Sequence, residues 1–470
     1  MRKLLSLLLT SGSLLVAASA HSALTTPPPP VADALAEAGI PHSAVGIHVY
    51  DLTVDKLVVD VAGDTLFNPA SVMKLITTFA ALDTVGPAFT WSTEALVEGA
   101  LSDGRLLGNL YFRGYGDPKL TLERFWRFLR ELRYRGLREI NGNVYLDRSA
   151  FATEAHDPAE FDGDPTRPYN VGADALLLNH KTVLLRFIPD ETTHSVVIIS
   201  EPRLPGIEII NNLALGQGHC DFWPRTPTQN ENSLAFTGVF PSGCGEKARY
   251  YSVLEPDQYF AAVFGQLWEE LGGKLSGSVE TRTAPTEATL LASQDSAPLA
   301  EIVRETNKFS NNVMARHLFL TLGLEQGYPL TPNKARSALN SWLAEWQFDF
   351  SGLVIDNGSG LSRASRLTPR QLGRLLVGAW QSPLMPELVA SLPLVAVDGT
   401  MGKRLDSSPV AGQAHIKTGY LDEVRAIAGY LNSANGHNLA VVFFINHTRS
   451  RYAAPALDAL LEWVYNETTN

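Results

Sequence analysis

The chain has 470 residues, of which 45% are hydrophobic and 19% charged, an ordinary composition for a globular protein. Its length exceeds one ordinary hydrophobic core and calls for two or three domains. With 38 basic residues against 49 acidic ones the formal charge is −11, and no basic block interrupts it, which excludes an electrostatic case for binding nucleic acid or an anionic bilayer.

Residues 1–20 read as a secretory signal. Arg2 and Lys3 form a basic start, Leu4 to Ala18 a mostly apolar run, and Ala18-Ser19-Ala20 a small-residue cleavage site. The run is too short for a comfortable span and contains Ser6, Ser11, Gly12 and Ser13, so no integral membrane anchor is expected after cleavage. No cysteine lies near the cut, which leaves no lipoprotein anchor either. Export would place the two cysteines, Cys220 and Cys244, in an oxidising compartment, where an even count favours a disulfide. Closing that loop of about 25 residues would stabilise by roughly 3 kcal/mol in the chain-entropy model. His219 adjoins Cys220, but no second ligand pair has finger-like spacing; neither a metal nor a cofactor is expected.

In chain order, Pro27 to Pro30 predict an extended lead-in. Two short strands follow, Ala44 to Tyr50 and Leu57 to Val61, joined by a turn over Asp51 to Lys56. Ser71 to Leu82 has no Gly or Pro and reads as a buried helix. Residues 91–150 predict strand, turn, strand, a helix from Thr121 to Tyr134 and a strand from Gly142 to Asp147, with Asp103-Gly104 and Gly114 to Pro118 as turns. Residues 175–250 are strand-rich, with Val183 to Ile188 and Val196 to Ile199 as short β-type runs, and a helix from Pro256 to Leu271 closes the stretch. Helical pattern returns over Ala300 to Leu322 and Gln371 to Trp380. The end reads as strands Ala414 to Thr418, Arg425 to Leu431 and Leu439 to Asn446, then a helix from Ala454 to Val464.

Three short motifs carry the chemistry. Ser71-Val72-Met73-Lys74 puts a hydroxyl and an amine one helical turn apart, at a helix start where backbone N–H groups lack acceptors. A serine becomes a nucleophile when a neighbour takes its proton, and a lysine serves as that base once burial or a nearby cation depresses its pKa. Lys417, in Lys417-Thr418-Gly419 on a predicted strand, supplies a second cation. Lys417 and Thr418 suit a carboxylate, and Gly419 would let a ligand backbone approach the strand. Ser310-Asn311-Asn312 lies in a predicted helix, yet positions i and i+2 do not share a helix face; joint action of Ser310 and Asn312 requires a local turn there. Ser433-Ala434-Asn435 has the same pattern but sits in a hairpin connection. There is no Gly-x-Ser-x-Gly elbow, no His-Glu-x-x-His and no Gly-Lys-Ser/Thr phosphate loop, and His317 reads as a packing residue.

The ordered set Ser71-x-x-Lys74, Ser310-x-Asn312 and Lys417-Thr418-Gly419 is the signature of penicillin-binding proteins and serine β-lactamases. Together with Gly108-Asn109-Leu110-Tyr111, Gly114-Tyr115-Gly116-Asp117-Pro118, Gly142-Asn143-Val144, Gly358 to Arg363 and Asp398-Gly399-Thr400, the chain resembles the D-alanyl-D-alanine carboxypeptidase/endopeptidase family. These are the class C low-molecular-mass penicillin-binding proteins, peptidase family S13. Ser71 and Ser310 stand 239 positions apart and Ser310 and Lys417 only 107, and a long insertion between the first two motifs is characteristic of that family.

The resemblance implies an α/β (α+β) fold: a β-lactamase/transpeptidase-like domain with a five-stranded antiparallel sheet flanked by helices, interrupted by two nested, strand-rich inserted domains. The expected divisions are a catalytic domain of residues 21–85 plus 266–470, an inserted domain of 86–177 plus 251–265, and a nested domain of 178–250. It further implies that Ser71 forms an acyl-enzyme, Lys74 acts as base, and Ser310 and Asn312 complete the proton network. Lys417 and Thr418 would receive a terminal carboxylate beside Gly419, and the N–H groups of Ser71 and Tyr420 would form the oxyanion hole. The implied partners are peptidoglycan peptides with D-Ala-D-Ala termini and cross-bridges, with β-lactams as covalent inhibitors, in the periplasm. Two positions depart from the family pattern. Tyr420 stands where a small Ser or Thr is common, and Asn357 replaces the aspartate of the usual Asp-Gly-Ser-Gly. The alternatives are a β-lactamase-like serine hydrolase, which needs an extra base for deacylation, and a catalytically silent cell-wall binding protein.

Overall fold

The computed structural model describes residues 23–152, 155–230 and 233–467; the expected signal and its cleavage site lie outside them. The two ends of the chain build one sheet. Its strands run in the order Ala414–Leu421, Val424–Asn432, Asn438–Asn446, Val45–Asp51 and Lys56–Val61, each antiparallel to its neighbour. The strands Val424–Asn432 and Asn438–Asn446 are nearly continuous apolar runs because both of their faces are covered. Ala426, Ala428, Val442 and Phe444 pack on one side with Leu75, Phe79 and Ile302. Ile427, Leu431, Val441 and Phe443 pack on the other with Leu35, Leu457 and Leu460.

The outer layer is the pair of helices Pro29–Ala38 and Ala454–Glu467. The proline tract is therefore not wholly extended. Pro28 is extended (φ −52°, ψ 148°), but the helix begins at Pro29, a position where a missing N–H breaks no intrahelical bond. The inner layer contains Lys74–Val85, Leu299–Lys308, Asn312–Thr321, Pro332–Glu345 and Pro369–Gln381. A break separates Leu299–Lys308 from Asn312–Thr321, so the predicted Ala300 to Leu322 helix is two helices with Ser310 in the turn between them.

Between these halves lies a second sheet of seven strands. Ser92–Ser102 and Arg105–Gly114 form a hairpin whose turn is Asp103-Gly104, both with positive φ. The helices Leu122–Tyr134 and Pro256–Glu270 cover the sheet through Phe125, Phe128, Phe260 and Phe264. The expected return to the catalytic domain at 266 falls inside the second of these helices. The strands that follow it, Lys274–Leu275, Val279–Thr281 and Thr289–Asp295, all pair within the inserted sheet. Strand pairing thus holds the chain in the insert until Asp295, beyond the expected boundary; short β segments with mixed parallel and antiparallel partners leave little periodicity to read.

The innermost stretch forms two three-stranded sheets, one of Thr182–Asp190, Ser195–Glu201 and Lys247–Ser252, the other of Glu208–Gly216, Thr228–Asn230 and Ser233–Pro241. Thr182 pairs with Ser252, so this module enters and leaves at one point. Cys220 and Cys244 are disulfide-bonded within it, with their Cα atoms 5.3 Å apart.

Candidate active site

Ser71 lies in a 3-10 turn, Ala70–Met73, that runs into the helix Lys74–Val85; the α-helix starts three residues later than the sequence pattern predicts. Ala70, just before Ser71, has φ +47°, a left-handed conformation that a non-glycine residue adopts only when its surroundings enforce it. Three sets of contacts enforce it here. The Asn68 carboxamide accepts from Ala70 N–H at 2.9 Å, and Asn68 is itself held by the Asn446 side chain at 2.7 and 3.0 Å. Gly360 passes so close that a Cβ there would lie 1.9 Å from the Ala70 carbonyl oxygen. Gly419 presses the third motif's strand onto the same loop, with a Cβ position 2.8 Å from the Pro69 carbonyl oxygen. Its lack of a side chain thus admits the protein's own backbone, where the sequence suggested a ligand's.

Lys74 is fully buried, and its Nζ has three neighbours: Ser71 Oγ at 2.9 Å, Asn312 Oδ1 at 2.6 Å and the Ser359 carbonyl oxygen at 2.6 Å. Burial first, then the Lys417 and Arg316 cations, hold its pKa well below that of ordinary lysine. A neutral amine has two N–H bonds and one lone pair. The two carbonyl oxygens can only accept, so they take both N–H bonds, and the lone pair is left for the Ser71 proton. That is the arrangement a general base needs.

Ser310 adopts φ +56° in the break between the two helices, as the sharing of one site by Ser310 and Asn312 requires. Its Oγ accepts from Lys417 Nζ at 2.8 Å. Lys417 is fully buried and also donates to the Thr418 carbonyl oxygen at 2.7 Å; burial lowers its pKa to about 7. Thr418 Oγ1 lies 2.7 Å from Thr400 Oγ1. Two hydrogen-bonded groups result, Ser71–Lys74–Asn312 and Ser310–Lys417–Thr418–Thr400, and the second motif supplies one residue to each. Among the described residues, no carboxylate bonds to either lysine.

The family model for the "D-Ala-D-Ala carboxypeptidase 3 (S13) family" matches residues 29–466. The chain belongs to this family. It is a serine-type DD-peptidase. D-alanyl-D-alanine carboxypeptidase DacB of Haemophilus influenzae is 26% identical over 411 residues, 86% of this chain and 85% of that protein. The D-alanyl-D-alanine carboxypeptidase of Actinomadura sp. (strain R39) is 28% identical over 427 residues, 86% of this chain and 78% of that one. In three dimensions, penicillin binding protein 4 of Haemophilus influenzae superposes with a TM-score of 0.79 at 25% identity, covering 93% of this chain and 99% of the other.

In this S13 peptidase Ser71, Lys74 and Asn312 come together, as do Ser310, Lys417 and Thr418, and some of their partners act through backbone atoms. Ser359 contributes only its carbonyl oxygen, and Gly358 and Gly360 on either side have φ +72° and +76°. Asn357 holds that turn, its Oδ1 accepting from Ser359 N at 3.1 Å and from Ser359 Oγ at 2.7 Å. The departure from aspartate thus keeps the turn's acceptor. Tyr169 offers its carbonyl oxygen to Asn312 Nδ2 at 3.3 Å, which turns the amide oxygen toward Lys74. Backbone carbonyls have no sequence signal of their own: the Ser359 stretch was legible as a motif but not the role of its carbonyl, and Tyr169 was not legible at all. Arg316, one helical turn beyond Asn312, is buried and donates to the Val171 carbonyl oxygen. Tyr420 is 64% exposed, with the Arg425 guanidinium 3.5 Å from its ring centroid. A cavity of about 600 Å³ is lined by Phe161, Asn170, Arg316, Asp356, Leu361 and Arg363, on the loop that continues from Ser359.

Proposed function

We propose that this DD-peptidase hydrolyses the terminal D-Ala–D-Ala bond of peptidoglycan stem peptides through an ester on Ser71, and cleaves the D-Ala–diaminoacid bond of cross-links by the same route. The single observation that supports this reading most is the Lys74 amine, with both N–H bonds engaged by carbonyl oxygens and Ser71 Oγ 2.9 Å away. Lys417 and Thr418 receive the terminal carboxylate.

As Ser71 Oγ bonds to the penultimate D-Ala carbonyl carbon, its proton passes to Lys74 Nζ. The resulting ammonium keeps the Asn312 and Ser359 oxygens as acceptors. The oxyanion lies against the N–H groups of Ser71 and Tyr420. When the C–N bond breaks, the departing nitrogen takes the proton that Lys74 gained from Ser71, with Ser310 Oγ, bonded to Lys417 at 2.8 Å, as the relay, and Lys74 is neutral again. Water then attacks the ester carbonyl and gives one proton to Lys74, which passes it to Ser71 Oγ as the ester C–O bond breaks. A β-lactam enters the same path and stops at the ester. The β-lactamase alternative needs a further base for fast deacylation, and neither lysine has a carboxylate partner among the described residues. Export to the periplasm belongs to the same reading, with a mature chain that begins at His21.

Incubation of the purified protein with uncross-linked and cross-linked muropeptides, followed by mass, tests the proposal. Release of a single D-Ala from pentapeptides and conversion of cross-linked dimers to monomers are the expected products. Steady β-lactam turnover with neither product would instead indicate a β-lactamase.

A further inference from the structure

Thr418 has one hydroxyl proton, and at rest that hydroxyl is 2.7 Å from the hydroxyl of Thr400. When Thr418 donates to a substrate carboxylate, it has no proton left for Thr400. Thr400 must then donate to Thr418 Oγ1, giving a chain Thr400 → Thr418 → carboxylate in which each hydrogen bond polarises the next. A side chain with no hydrogen to donate cannot take this place.

The surroundings fix Thr400 with respect to the catalytic serines. It sits in the turn Gly399–Met401, which packs against the Ala414–Leu421 strand. Asp398, at the start of that turn, accepts from Lys308 Nζ at 2.8 and 2.6 Å through its two carboxylate oxygens, and one of them also accepts from Leu394 N at 2.8 Å. Lys308 is buried and is the last residue of the helix Leu299–Lys308, two positions before Ser310. Gly399 has φ +58°, and a Cβ there would lie 2.5 Å from the Lys308 carbonyl oxygen. The Ser310 turn and the Thr400 turn are thus clamped by one ion pair and one close backbone contact, and both reach the Lys417-Thr418 pair.

We propose that Thr400 is a positioning residue for recognition of the substrate's terminal carboxylate: it donates to Thr418 and aims the Thr418 proton at that carboxylate, while the Lys308–Asp398 pair holds it in place. The inference rests on the reading of Thr418 as a carboxylate-binding residue. Kinetics with a D-Ala–D-Ala peptide and with its C-terminal carboxamide separate the two. In Thr418→Val, the preference for the acid over the amide is expected to collapse, which tests the underlying reading.

In Thr400→Val, KM for the acid is expected to rise by about tenfold, the range of one hydrogen bond, and kcat to fall much less. The acid-to-amide preference should shrink by the same factor, and Thr400→Ser should restore it. Loss of preference in Thr418→Val with wild-type preference in Thr400→Val would overturn the inference and leave the reading standing. Wild-type preference in Thr418→Val would overturn both. A Thr400→Val defect shared equally by acid and amide, or not rescued by serine, would mark a merely structural role and also overturn the inference.

Discussion

On the proposed reading a lysine becomes a base because every other use of its protons is taken. Lys74 is buried, faces two obligate acceptors, and shares the site with the Lys417 and Arg316 cations. Lys74→Ala should therefore slow acylation by a β-lactam by roughly 10²–10⁴-fold, the usual contribution of a general base, as read by stopped-flow or gel labelling. The pH dependence follows from the same two groups. Lys74 works only when neutral, so its depressed pKa sets the acidic limb, and activity falls as pH drops through it. If Lys417 binds the substrate carboxylate, it does so only when charged; with a pKa of about 7 it then sets the alkaline limb, and kcat/KM for an acid substrate is expected to fall as pH rises through that value. Lys417→Ala removes a cation beside Lys74, so the Lys74 pKa should rise and the acidic limb should move to higher pH. An acidic limb that stays in place would contradict the coupling of the two lysines.

At the scale of elements, the site depends on chain segments bent against their own preferences. The turn at Ser310 was legible because residues two apart cannot share a helix face. The main sheet was legible too, since Val45–Asp51 and Asn438–Asn446 are bounded by turn residues and rich in β-branched or aromatic side chains. The helix inside Pro27–Pro30 was not, because proline at a helix start and proline in an extended lead-in look alike in sequence. Nor was the approach of Gly360 to Ala70, which joins segments distant in the chain. Gly360→Ala should cost about 1–3 kcal/mol in denaturant unfolding, from φ +76° and the clash with the Ala70 carbonyl oxygen, and should slow Ser71 acylation as well. Unchanged stability and acylation together would show that the loop before Ser71 is not fixed by this contact.

In the whole molecule, the two ends of the chain make the catalytic sheet and everything between Trp91 and Ser296 is inserted, but the insert is not a single passenger. Its loop at 155–173 reaches the site: Tyr169 and Val171 supply the carbonyl oxygens that hold Asn312 and Arg316. Among the described residues, the inner module contributes nothing to the Lys74 or Lys417 hydrogen bonds, and its ends meet where Thr182 pairs with Ser252. Replacing residues 183–250 with a short linker should therefore leave labelling by fluorescent penicillin at a rate comparable to the parent, while changing activity on intact sacculi. Removing the whole insert, residues 92–295, should abolish labelling, because the Asn312 amide then loses its anchor. Equal labelling by both deletions would mean that the insert plays no part in the site.

The central claim is that Ser71, activated by Lys74, carries the acyl group. It is tested most directly by peptide mass mapping of the protein after β-lactam treatment, with Ser71→Ala alongside. One adduct per chain on the peptide containing Ser71, and none in Ser71→Ala, is the expected result. An adduct on any other residue, or labelling that persists in a folded Ser71→Ala protein, would contradict it.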